Sequence, residues 1–216
     1  MAGFGKVAMV MAVVGAGLTV VGSAGPSQAA GQQRQEGHVT GDAWVSYSLD
    51  PGNPLRRFVV DAHGNPYKVV GNKLVWGDAR GTVKFDHPVP DGNGGVTHHW
   101  GAIAVDYVMT AGPVAVVSGT STGNIGFPRG MRLSVSVYDD PRGRRFDRLG
   151  FSWGVIDPSC VPSGLAPAPF TAYESGKGYT VRAAELPAVS PGVEPPDAMV
   201  PCPPAAEPAA GAIPAG

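Results

Sequence analysis

His87, His98 and His99, together with Asp86 and Asp106, form the densest set of potential metal ligands in the sequence; His38 and His63 complete its five histidines. Two strands joined by a loop would bring the first set together. Neighbours on a strand point to opposite faces, so at most one of His98 and His99 can serve a given site. A catalytic zinc usually takes three protein ligands, and the chain contains neither HExxH nor a closely spaced HxH pair. The pattern favours hydrogen-bonding histidines at strand ends over a metal centre.

A second cluster runs from Tyr138 to Arg148. Asp139, Asp140 and Asp147 flank a glycine turn and offer the oxygen ligands that calcium takes. Arg142, Arg144, Arg145 and Arg148 lie in the same stretch and can pair those carboxylates. The favoured reading is an ion-paired structural turn, pinned to a sheet by Phe146, with calcium as the rival. Ser118, Ser121, Ser134, Ser136 and Ser152 are candidate nucleophiles by type alone, since no GxSxG elbow surrounds any of them. Asp106 is the one acid inside an apolar strand, and alternation turns it outward. Gly92-Asn93-Gly94-Gly95 lacks the strand–GxxxxGK–helix setting of a phosphate loop. No catalytic residue, metal site or cofactor is read from these motifs.

Cys160 and Cys202 are the two cysteines. Export would permit a disulfide between them, closing a loop of roughly 40 residues at on the order of 4 kcal/mol of chain entropy. Two free thiols are the alternative. Their spacing fits neither a CxxC redox pair nor a zinc finger.

The elements that must carry these residues are strands. Short β-branched and aromatic runs are cut by turn signals, and no long stretch shows a helical period. The runs lie at 42–49, 56–61, 67–76, 81–87, 99–110, 113–120, 131–138, 149–156 and 179–183. Within them Ile103, Val105, Tyr107 and Met109 share a face, as do Met131, Leu133, Val135 and Val137. Ser134 and Ser136 are expected to point outward, and residues 173–179 to make a turn. The expected fold is all-β: a single antiparallel β-sandwich or small β-barrel of eight to nine strands over residues 39–185. Its interior would be lined by Phe85, Val105, Tyr107, Leu133, Val135, Phe151 and Trp153, read as packed core in preference to cavity lining.

Both ends differ in composition. Residues 1–29 pair Lys6 with an apolar run, Val7–Val21, and small residues before Ala30, as in a secretory signal peptide. The apolar run is shorter than the roughly 20 residues of a membrane span, which disfavours a retained anchor. Residues 186–216 are rich in proline, lack either periodicity and read as a disordered tail. Gly and Pro, 32 and 22 of 216 residues, total a quarter of the chain, about double ordinary usage. Leader, tail and turns account for that excess. A net charge of −1 with only 15% charged residues gives nucleic acid or an anionic membrane nothing to grip.

Several blocks resemble a group of secreted actinobacterial proteins of unknown function, sometimes labelled repetin. They are Gly81–His87, Ala104–Gly119, Val135–Asp140, Asp147–Trp153, and Cys160 with Ala168-Pro169-Phe170 followed by Gly178–Val181. The resemblance implies secretion and a small β domain, and it brings no activity, catalytic residue or cofactor. The expectation is a secreted, monomeric, non-enzymatic binding or structural module, outside the cell or at its surface, with an unknown extracellular or envelope partner. The alternative is a small-ligand carrier or enzyme built on a β-barrel cavity.

Overall fold

The computed structural model describes residues 35–123, 127–155 and 166–195. The expected signal peptide, both cysteines and the chain beyond residue 195 lie outside the described residues. Among the described residues the chain is all-β, with one 3-10 turn at Arg144–Phe146. None of their helical segments is long and apolar enough to cross a membrane.

Eight strands build one antiparallel sheet, nearly closed into a barrel. They are β1 (Gly37–Ser46), β2 (Leu55–Gly64), β5 (Ala79–Pro90), β6 (Val96–Ala111), β7 (Val114–Ser121), β8 (Arg132–Tyr138), β9 (Arg148–Phe151) and β10 (Ala172–Arg182). Their order is β10-β1-β2-β5-β6-β7-β8-β9. The hairpin β3 (Tyr67–Val70) and β4 (Lys73–Trp76) forms a separate two-stranded sheet turned at Gly71 and Asn72. Period-2 alternation sends Val39, Ala43 and Val45 of β1, Phe58 and Val60 of β2, and Val83 and Phe85 of β5 into one apolar core. Each fully buried Val, Leu or Phe contributes about 1.5–3 kcal/mol.

Two strands depart from simple alternation. In β6, Val105 pairs with Gly119 and Tyr107 with Ser118, so Asp106 is an extra residue in the ladder. This bulge reverses the facing of the residues beyond it. Val108 joins the core in place of Tyr107, which packs instead against Trp76 of the hairpin at 6.1 Å between ring centroids. Met109 is left exposed. In β10 the expected turn at 173–179 is strand: Gly176 (φ 114°) and Gly178 (φ 79°) supply positive-φ positions beside shifts in the β1 register. The glycines bend the strand without ending it.

The barrel is closed by side chains as well as backbone. Thr171, just ahead of β10, donates its N–H and its hydroxyl to the Leu149 carbonyl of β9 at 2.9 and 2.7 Å. Beyond it, carboxylates replace the ladder. Asp147 is fully buried and accepts the Tyr179 N–H at 2.8 Å and the Asp140 N–H at 3.0 Å. Asp139 accepts the Val181 N–H at 3.0 Å. A Cβ at Gly178 would stand 2.6 Å from the Asp147 carboxylate, so glycine there makes the approach possible. The segment at 166–171 also covers β8 and β9. Ser134 and Ser136 are buried, although alternation turns them away from the core; the Ser136 hydroxyl donates to the Pro167 carbonyl.

The start of the domain meets its end where the Glu185 N–H donates to the Gln35 carbonyl at 2.8 Å. The chain then crosses to the β3–β4 hairpin. There the Leu74 N–H donates to Glu194 and the Glu194 N–H donates to Asn72, both at 2.9 Å. This places part of the proline-rich segment, around Glu194, beside the hairpin.

Candidate functional site

One mouth of the barrel opens into a cavity of about 220 Å³. Its wall is aromatic. Trp153, which follows β9, lies 4.7 Å from Phe85 and 4.8 Å from Phe151 between ring centroids. Phe58 of β2 and Phe127 of the β7–β8 connection each lie 5.7 Å from the same indole. Gly101, in register with Phe85, leaves room for that ring: a Cβ there would fall inside the Phe85 ring edge. Tyr47 closes the wall next to Phe151 at 5.0 Å.

Polar groups converge on the rim. Arg56, although it sits in a strand, faces inward and is buried. Its guanidinium donates to Asp50 at 2.7 Å and to the Leu55 carbonyl at 2.8 Å, and lies 5.7 Å from the Tyr47 ring centroid. His87 and His99 are register partners on β5 and β6. Asn53 lies 3.0 Å from the His87 ring nitrogen and also donates to the Pro88 carbonyl. Burial pushes the His87 imidazole below its ordinary value, and the Arg56 charge pushes it further. His87 is therefore neutral near pH 7 and offers a hydrogen bond in place of charge.

The histidine set read from the sequence is divided by the sheet. His87, His99 and Asp86 line the mouth, whereas His98 is outside that lining and pairs with the buried Asp86 at 2.6 Å. Asp106 is on the outer wall, where Arg132 grips it at 2.6 and 2.9 Å. These five residues make no common centre. On the same outer face Trp100 is exposed beneath the Arg57 guanidinium, which is itself bonded twice to Asp42 at 2.9 Å. A shallow open groove runs past them over Gly101 and Ala102.

The acidic turn is committed to structure. Asp139 and Asp147 accept backbone N–H groups across the seam, and Arg142 pairs with both oxygens of Asp140 at 2.9 and 2.7 Å. That pairing holds the Asp140 carboxyl down to about 2. The Arg142 and Arg145 guanidinia lie 4.3 and 4.6 Å from the centroid of the Phe146 ring. The calcium reading of this turn therefore has its carboxylates already occupied.

Of the seven interior residues read from the sequence, Phe85, Phe151 and Trp153 line the cavity. Val105, Leu133 and Val135 belong to the packed core, and Tyr107 lies outside that core beneath Trp76. The sequence reading missed Arg56, Tyr47 and Phe127. Arg56-Arg57 carried a signal, since two adjacent charges on a half-buried strand cannot both face solvent. Phe127 sits in a connection with no periodicity to read. Compared with family models, curated proteins and solved structures, the chain matches none.

Proposed function

We propose that this chain is an exported, non-enzymatic β-barrel module that holds a small, planar, uncharged ligand in its mouth pocket. The observation that carries the reading is the aromatic box around Trp153, open at one end and rimmed by hydrogen-bonding groups. Aromatic walls favour a flat apolar body. The Arg56 charge is offset by Asp50, the Asp86 carboxylate is held by His98 and His87 is neutral, so the rim selects polarity without selecting net charge. At about 220 Å³ the cavity is smaller than the roughly 300–1,000 Å³ of drug-sized sites; it suits one or two rings. The apolar leader at residues 7–21 supports export.

Saturation-transfer NMR with indole and phenol as probes tests this on the purified protein. Saturable binding is expected, lost in Trp153→Ala and in Phe127→Ala and kept in Trp100→Ala. Failure of both probes to bind, or binding that survives both pocket substitutions, rejects the reading.

A further inference from the structure

His38 and His63 face each other across the β1–β2 ladder, and Asp61 lies two residues before His63 on the same face. The two imidazoles stack with centroids 3.7 Å apart and planes 15° from parallel. Their Nε2 atoms converge on one carboxylate oxygen: Asp61 Oδ1 is 3.3 Å from His38 Nε2 and 3.4 Å from His63 Nε2. One ligand atom from each of the three residues lies within 4.8 Å of the other two.

From this convergence we infer that His38, His63 and Asp61 form a binding site for a divalent transition-metal ion of the zinc, copper or nickel type. A tetrahedral sphere with bonds of about 2.0–2.1 Å sets its donors about 3.3 Å apart. The two histidine–aspartate separations already have that value. Two imidazole nitrogens and one carboxylate suit these borderline ions better than calcium or magnesium, which prefer oxygen.

The support around the ligands has the expected form. Glu36 Oε1 stands 3.3 Å from His63 Nδ1, the ring nitrogen not used for the metal. A carboxylate there fixes the tautomer and turns Nε2 toward the ion. Arg80 in turn holds Glu36 with two bonds at 2.9 and 2.6 Å. Arg182, in register with His38 on β10, is exposed. Asp61 is itself 71% exposed, so the remaining coordination positions open to water or to a ligand atom from a partner. The site lies on different residues from the mouth pocket and does not depend on the ligand proposed there.

Calorimetric titration of the untagged full chain with zinc chloride, at about pH 7.5 where free imidazole is neutral, tests the inference. One saturable event is expected. His38→Gln, His63→Gln and Asp61→Asn should each weaken it at least tenfold, and Glu36→Gln by about tenfold. The double variant His98→Ala/His99→Ala should bind as wild type does. Cobalt loading adds a spectroscopic readout: visible bands of a nitrogen–oxygen sphere that disappear in His63→Gln. The substituted side chains lie at the surface, so unchanged urea midpoints will separate loss of metal from loss of fold. Absence of heat with zinc overturns the assignment, as does binding that is undiminished in both histidine variants.

Discussion

Replacing Asp147 by Asn tests whether carboxylates close the barrel. In the wild type each Asp147 oxygen accepts one backbone N–H, from Tyr179 at 2.8 Å and from Asp140 at 3.0 Å. An amide keeps one acceptor and turns an NH2 group against the other donor. One buried N–H then loses its partner, which costs about 1–3 kcal/mol. For a domain of this size that corresponds to a fall in Tm of roughly 2–4 °C per kcal/mol. Alanine removes both acceptors and should cost more than Asn. Urea unfolding gives the free energy, with the m-value expected to stay constant because the surface exposed on unfolding is the same. Hydrogen exchange gives the location: protection of the Tyr179 amide should collapse in Asp147→Asn, while the amide of Val83, on β5 in the middle of the sheet order, should change no more than global stability does. A variant within about 0.5 kcal/mol of wild type, with Tyr179 still protected, would refute the account of the seam.

The Asp140–Arg142 pair should show in acid. The Asp140 carboxyl sits at about 2 in the folded protein, below the unfolded value of about 3.9. Its contribution is then present above pH of about 4 and is lost as pH falls toward 2. The gap in urea midpoint between wild type and Asp140→Asn should narrow over that window; a gap independent of pH contradicts the pairing. His87 should titrate below its ordinary 6.5 when followed by NMR, and a midpoint at or above that value would deny its burial beside Arg56. Gly101→Ala would force its new Cβ into the Phe85 ring, at about 1–3 kcal/mol for an overpacked interior. A stable Gly101→Ala protein with an unshifted Phe85 ring in its NMR spectrum would show that the pocket wall is looser than described.

Much of the sheet was legible because alternation is a local signal. Leu133, Val135 and Val137 of β8, and Val83 and Phe85 of β5, face the core as their spacing requires. What escaped depends on relations between strands. Only the pairing of β6 with β7 shows that Asp106 is an extra residue and that Tyr107 changes sides. Only the cover over β8 shows why Ser136 is buried. Glycines at 176 and 178 look like a turn in a linear reading, because a bulge and a turn demand the same positive φ. The mouth pocket was half visible through Phe85, Phe151 and Trp153. Its polar rim was not, since Arg56, Asn53 and His87 come together only through β2 and β5. The His38–His63 pair was hidden for the same reason: separated along the chain, they become neighbours only once the β1–β2 register is fixed.

The bond between Gln35 and Glu185 gives the domain a property beyond its own stability. A barrel whose first and last strands are neighbours has no preferred beginning. A short linker joining residues 35 and 185, at the cost of the Glu194 contacts with the hairpin, would make the backbone circular. It could then be reopened at the exposed loop between β5 and β6, where Asp91 accepts the N–H groups of Asn93 and Gly95 in a self-contained turn. The same adjacency lets the whole unit be spliced into a surface loop of another protein without prising that loop apart. Spliced in that way, the domain would act as a cassette whose pocket travels with it.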